Sequence, residues 1–255
     1  MGEIDHSAEA TLVLSEPDFP LAISESLVPV RENKTAGTVL LSLDGLLTPP
    51  LQIKEDLKDG CGGKLWPAGM VLAKYMLRKH KSDLRGKVIV ELGAGGGLVG
   101  LAVARGCAVD SPIYITDQIP MLSLMQSNVQ LNGLSDIVHP AVLDWGSALP
   151  EGVPSDPAVI IAADCVYFEP AFPLLLSTLQ NLLSSSHSLC YFCFKKRRRA
   201  DLRFMKQAKK LFNVVEVKDD PDRDRYSKES IFLYIIRKRE VKSEEPGKRK
   251  EEIMQ

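Results

Sequence analysis

The stretch Lys87-Val88-Ile89-Val90-Glu91-Leu92-Gly93-Ala94-Gly95-Gly96-Gly97-Leu98-Val99-Gly100-Leu101-Ala102-Val103-Ala104-Arg105-Gly106 decides the fold. Val88 to Leu92 reads as a short, largely apolar strand of the kind a parallel sheet buries on both faces. The glycines that follow read as a tight turn, and the small apolar residues after Gly97 read as a helix packed closely against a sheet. Strand, turn and helix make half of a βαβ unit, and Pro112-Ile113-Tyr114-Ile115-Thr116-Asp117 completes it.

Downstream the alternation continues. Helices are predicted over Ile119 to Asn132, Ala171 to Ser184 and Ala200 to Phe212, and strands over Ile137 to Leu143, Ala158 to Ala163, Ser188 to Phe194, Asn213 to Lys218 and Ser230 to Arg237. With Val88–Leu92 and Pro112–Asp117, this gives an α/β, doubly wound, mostly parallel seven-stranded sheet. Asp219 to Arg225 reads as a charged hairpin connection between the last two strands. Upstream, Thr38 to Leu43 and Leu51 to Glu55 flank Asp44-Gly45 and Pro49-Pro50, so a small N-terminal β-hairpin extension is expected. Pro67 suits the first turn of a helix carrying Val71, Leu72, Tyr75, Met76 and Leu77 at helical spacing. The expected organisation is a flexible lead with the hairpin over 1–63, the main domain over 64–237, and a charged mobile tail over 238–255.

Composition narrows the function classes. Across 255 residues, 32 Lys plus Arg face 33 Asp plus Glu, a formal net charge of −1. No global basic field is available to hold nucleic acid or an anionic membrane. The apolar runs at Ala158–Ala163 and Leu189–Phe194 fall well short of the roughly 20 residues a bilayer span needs. Glu3, Asp5, Glu9, Glu16 and Asp18 crowd the first residues, which lack the pattern of a secretory signal, so a cytosolic protein with nuclear access is expected. Cys61, Cys107, Cys165, Cys190 and Cys193 form no pair of metal-ligating units and are expected as reduced thiols, partly in the core.

The glycine turn marks a ligand site, because open α/β sheets bind beyond the carboxyl ends of their strands. Two frames compete. Gly95-Gly96-Gly97-Leu98-Val99-Gly100 satisfies the dinucleotide pattern GxGxxG, with Asp117 at roughly the ribose distance, but it starts two residues beyond Gly93. The other frame, Glu91-Leu92-Gly93-Ala94-Gly95, puts a carboxylate at the strand end. A negative charge there favours a cationic ligand head and repels a diphosphate. Asp117 can accept both hydroxyls of a ribose or serve as the N-cap of the next helix. Asp144 can accept an amino group, and Trp145 can cover a ring face or pack in the core.

This second frame resembles motif I of the class I, seven-β-strand methyltransferases that use S-adenosylmethionine. Asp164-Cys165-Val166-Tyr167, Leu65-Trp66-Pro67-Ala68 and Asp144-Trp145-Gly146 extend the likeness to the family 16 protein-lysine methyltransferases, most closely to the fungal-type enzymes that modify translation elongation factor 1-alpha. The resemblance covers about Lys64 to Arg237. It implies a Rossmann-like fold with S-adenosyl-L-methionine as cofactor, held by Trp66, Glu91, Gly93, Gly95, Asp117, Asp144, Trp145 and Ala163. It further implies that Asp164 and Tyr167 face the target lysine, that elongation factor 1-alpha is a candidate substrate, and that no metal takes part. A monomer is expected.

Lysine chemistry imposes a cost on any such transfer. An amine with a pKa near 10.4 must be presented neutral at pH 7, which takes about 4 to 5 kcal/mol. An ionised Asp164 opposes this by stabilising ammonium, so its expected role is orientation and capture, not general-base catalysis. Cys165 is given no nucleophilic role, and His139 is read as a sheet residue. Lys195-Lys196-Arg197-Arg198-Arg199 is the densest basic run and reads as a solvated loop or helix start, with nucleic-acid binding, a nuclear-import signal or an acidic protein face as alternatives. A small-molecule methyltransferase, a non-catalytic cofactor-binding protein and an NAD-dependent oxidoreductase remain as competing readings.

Overall fold

In the computed structural model, the structure describes residues 37–56 and 61–239. The expected lead and most of the expected tail lie outside the described residues. The hairpin forms as β1 (Gly37–Leu41) and β2 (Leu51–Glu55), paired antiparallel with Leu41 opposite Leu51. A single 3-10 turn, Cys61–Gly63, leads to α1 (Pro67–Lys79).

The main domain then runs β3 (Ile89–Leu92), α2 (Leu98–Gly106), β4 (Ile113–Asp117), α3 (Ile119–Leu131), β5 (Val138–Val142), β6 (Val159–Ala163), α4 (Phe172–Leu182), β7 (Leu189–Lys195), α5 (Arg199–Leu211), β8 (Phe212–Glu216), α6 (Arg223–Lys228) and β9 (Ile231–Lys238). The larger sheet has seven strands in the order β5-β4-β3-β6-β7-β9-β8. β9 alone runs antiparallel to its neighbours, inserting between β7 and β8.

Alternation along the strands feeds two apolar layers. Ile89, Ile113, Ile115 and Ile161 pack with Leu72 and Met76 of α1, Leu101 of α2 and Met125 of α3. Val90, Leu92, Ile160 and Phe192 point the other way, onto Leu175 and Leu179 of α4 and Phe204 of α5. Burial on both faces is why these strands read as nearly continuous apolar runs.

From β3 the chain crosses to β4 and β5 on one side, and later returns to place β6 on the other side of β3. The order therefore reverses between β3 and β6, the place where an open sheet leaves a crevice at its strand ends.

One local expectation is corrected. Asp219 to Arg225 is not a plain hairpin connection, because α6 occupies Arg223–Lys228 with Tyr226 buried. Asp220 starts the turn by accepting the Asp222 N–H at 3.0 Å, and Arg78 of α1 clamps it. The run Lys195 to Arg199 leads into a helix, as one of its two readings expected: Lys195 ends β7, Arg199 opens α5, and Arg197 to Arg199 are exposed while Arg197 reaches Asp164.

Candidate active site

A cavity of about 490 Å³ opens at the carboxyl ends of β3, β4 and β6. It is lined by all ten residues singled out from the sequence: Trp66, Glu91, Gly93, Gly95, Asp117, Asp144, Trp145, Ala163, Asp164 and Tyr167. Its volume lies in the range that takes a cofactor-sized ligand.

Glu91 is buried in β3, and its Oε2 accepts the Gly100 N–H of α2 at 2.8 Å. Gly97, the N-cap residue of that helix, adopts a left-handed conformation and has no side chain to cap with. The strand acid therefore satisfies an open amide of the helix N-terminus from outside the helix. Burial pushes its carboxyl up to about 8, against the opposing pull of the Gly100 and Val99 amides. The arrangement also weakens the dinucleotide alternative. The helix end on which a pyrophosphate would rest is already occupied by the Glu91 side chain.

Gly93 is left-handed at φ +62°, and a Cβ there would sit 2.9 Å from Cys165 Sγ and 3.0 Å from the Trp145 ring. Only glycine lets the strand end turn beneath that indole. Trp145 is thus half-buried over the turn and at the cavity wall.

Asp117 braces the same turn. Its Oδ2 accepts the Gly95 N–H and its Oδ1 the Gln118 N–H, both at 2.7 Å. Burial raises its carboxyl above the usual range, against those two amides. The N-cap of α3 is Gln118, so the capping alternative for Asp117 is not what forms. Asp144 is exposed at the rim, where Gln118 Nε2 donates to its Oδ1 at 3.1 Å.

Asp164 follows β6 in a left-handed conformation, φ +54°, with its carboxylate buried. Oδ2 accepts the Ala68 N–H at the start of α1 at 3.2 Å, a helix whose N-cap residue Trp66 makes no side-chain cap. Oδ1 accepts the Lys195 N–H and Arg197 Nη1, each at 3.0 Å. The acid thus joins α1, β6 and the end of β7. Cys165 beside it is buried, its thiol donating to the Leu92 carbonyl at 3.2 Å, and burial holds that thiol well above its ordinary range. Tyr167 and Phe168 are exposed at the cavity mouth.

Arg197 also lines the cavity and was not singled out from the sequence. In a run of five basic residues nothing local separates it from its neighbours. The available signal was its place just beyond a sheet strand, at the same edge as the Asp164 strand end. Two cations lie over the Trp66 ring, Lys64 Nζ at 5.3 Å and Arg197 Cζ at 5.1 Å from its centre.

Comparison with known proteins agrees with this architecture. The family model described as lysine methyltransferase matches residues 46–211. Protein-lysine N-methyltransferase EFM6 of Saccharomyces cerevisiae is 36% identical over 236 residues, covering 83% of this chain and 96% of the relative. Protein N-lysine methyltransferase METTL21A of Danio rerio is 35% identical over 207 residues, 78% of this chain and 93% of the relative. EEF1A lysine methyltransferase 3 of Mus musculus is 33% identical over 190 residues, 71% and 75% of the two chains. Among solved structures, the 16S rRNA N2 G1207 methyltransferase RsmC of T. thermophilus superposes with a TM-score of 0.55 at 15% identity, over 80% of this chain and 50% of that one, a likeness of fold. The chain therefore belongs to the lysine methyltransferase family and is a protein-lysine N-methyltransferase.

Proposed function

We propose that the cavity between β3 and β6 takes up S-adenosylmethionine, and that a lysine of translation elongation factor 1-alpha reaches it past Tyr167 and Phe168. The observation that carries this reading is a cavity in which the braced glycine turn and the Asp164–Tyr167 segment meet, with both aromatics at its mouth more than half exposed. An exposed lip of this kind suits a side chain delivered by a protein surface. A closed pocket would instead favour a free small molecule.

The donor set fits the cofactor. Asp117 uses one hydrogen bond per carboxylate oxygen within the protein and keeps lone pairs for ribose hydroxyls. Asp144, at the exposed rim, is placed for the adenine amino group, and Trp145 offers a ring face. Glu91, Gly93, Gly95, Trp66 and Ala163 complete the wall. When bound, the cofactor would supply a sulfonium methyl group to the lysine amine, with the sulfur taking back the bonding pair.

The chain's own residues handle the amine. Tyr167 orients it at the mouth, the apolar wall excludes water that would solvate ammonium, and the released proton passes to solvent. Asp164 anchors this segment through the three protein groups it accepts from, one on Oδ2 and two on Oδ1. The elongation-factor assignment is supported by the mouse relative named an EEF1A lysine methyltransferase. A translation-factor substrate places the reaction in the cytosol.

Labelled S-adenosylmethionine with purified elongation factor 1-alpha tests the proposal. Label on one lysine, located by mass spectrometry and reduced at least tenfold by Tyr167→Ala, is the expected result. An unlabelled factor beside another labelled protein in cell extract would overturn the substrate assignment.

A further inference from the structure

The placement of Arg197 is fixed from both ends. Asp201, fully buried in the first turn of α5, accepts the N–H groups of Arg197 and Arg198 at 2.7 and 2.9 Å, which pins the main chain. The side chain is held by Asp164 Oδ1 at 3.0 Å, by the Lys195 carbonyl at 3.3 Å and by the face of Trp66. A guanidinium with 30% side-chain exposure is thereby directed into the cavity and onto the buried acid beside which the target lysine is proposed to arrive.

We propose that Arg197 is a positioning residue that cancels the charge of Asp164, so that the target lysine is received as a neutral amine. The inference rests on the methyl-transfer reading above. An uncompensated carboxylate next to a lysine raises the amine's pKa by about 1 to 3 units, in the wrong direction for a nucleophile. A guanidinium keeps its charge throughout the working pH range, so the cancellation does not depend on pH. Its planar fork can hold the acid and the indole face together.

The remaining charged and titratable groups facing the cavity divide by element. Lys64, before α1, adds positive charge on the Trp66 side. Glu91 of β3 and Asp117 of β4 are bonded to the glycine turn and helix amides, and Asp144 after β5 to Gln118. Cys165 and Tyr167 share the loop of Asp164, and the buried thiol is held neutral. Arg197 is the cation in direct contact with Asp164.

The test is a pH–rate profile of methyl transfer, with labelled S-adenosylmethionine and two acceptors in parallel: purified elongation factor 1-alpha and native cell extract corrected for an enzyme-free control. Arg197→Met is expected to raise the apparent pKa governing the rate at saturating acceptor, kcat, by about one unit, a tenfold loss near neutrality that is regained at alkaline pH. Arg197→Lys is expected to keep the unmodified profile. Asp164→Asn, which removes the negative charge yet keeps an acceptor oxygen, is expected to shift the profile to lower pH.

A loss in Arg197→Met that is uniform across pH overturns the proposal and leaves a structural role. A tenfold weakening of cofactor affinity without a profile shift also overturns it, and assigns the guanidinium to the cofactor. Label in extract proteins but not in the elongation factor refutes the substrate assignment alone, since the profile is then read from the extract bands. The absence of label from every acceptor refutes both.

Discussion

Two acids of this chain do a job that local sequence leaves undone. Glu91 and Asp164 each follow or end a strand, and each satisfies the amide end of a helix whose own N-cap residue contributes no side-chain bond. The helix ends attract negative charge, and burial opposes it. At Glu91 burial prevails, holding the carboxyl near 8 in the free protein. The consequence for stability has a definite sign. A carboxyl whose pKa is higher folded than unfolded favours the fold most below the unfolded value, and that contribution is lost as pH rises towards 8. The free protein is therefore expected to lose thermal stability from about pH 5 to pH 8. Glu91→Gln should flatten that slope in melts recorded across the range, whereas an unchanged slope would contradict it. Gly93→Ala is expected to cost about 1 to 3 kcal/mol in urea unfolding from its left-handed backbone, and to weaken cofactor binding at least tenfold by pushing on Trp145.

At the scale of elements, the hairpin is joined to the main domain by α3. Asn128 Oδ1 accepts the Lys54 N–H at 2.8 Å while its Nδ2 donates to the Lys54 and Gly96 carbonyls. One turn on, Asn132 treats Gln52 the same way, accepting its N–H at 3.0 Å and donating to its carbonyl at 2.7 Å. Two side chains at i and i+4 thus substitute for a neighbouring strand. The 3-10 turn after the hairpin comes down on the glycine turn, since a Cβ on Gly95 would lie 2.3 Å from the Gly62 carbonyl oxygen. That turn, through Gly62, is therefore part of the cavity wall. Asn128→Ala, which leaves three part-buried backbone partners unpaired, is expected to cost about 2 kcal/mol. Hydrogen exchange should show faster loss of protection at Lys54 than at β3 residues. Equal protection in both would show that the clasp carries no weight.

These contacts mark the limit of what the sequence displays. The strand, turn and helix from Val88 to Gly106 are legible because apolar period and glycine conformational freedom act over a few residues. The carboxylates at strand ends are legible because topology alone puts them at the crevice. Asn128 and Asn132 read as an ordinary polar face, α6 hides in a charged run, and Arg197 is masked by four similar neighbours. Each acquires its meaning from a partner at least 30 residues away, or, for α6, from the α1 arginine that clamps its approach.

Across the whole molecule, Arg78 of α1 performs the most distant joining. Its guanidinium meets Asp220 Oδ1 at 3.2 Å and Asp222 Oδ2 at 2.6 Å before α6, and approaches Asp44 of the hairpin turn at 3.9 Å. Asp220 is almost wholly buried, so the pair cannot be broken without leaving a charge inside. Arg78→Ala is expected to destabilise the fold by about 3 kcal/mol in urea unfolding, and a change under about 0.5 kcal/mol would place the pair among ordinary surface contacts.

The asparagine clasp has one more result. It grips the peptide groups of Gln52 and Lys54, while both side chains point outward and are exposed. Those outward positions can be exchanged for almost any residue without loosening the anchorage. The fold thus keeps a rewritable strip of surface next to a fixed seam, where recognition can diverge while the chemistry underneath stays put.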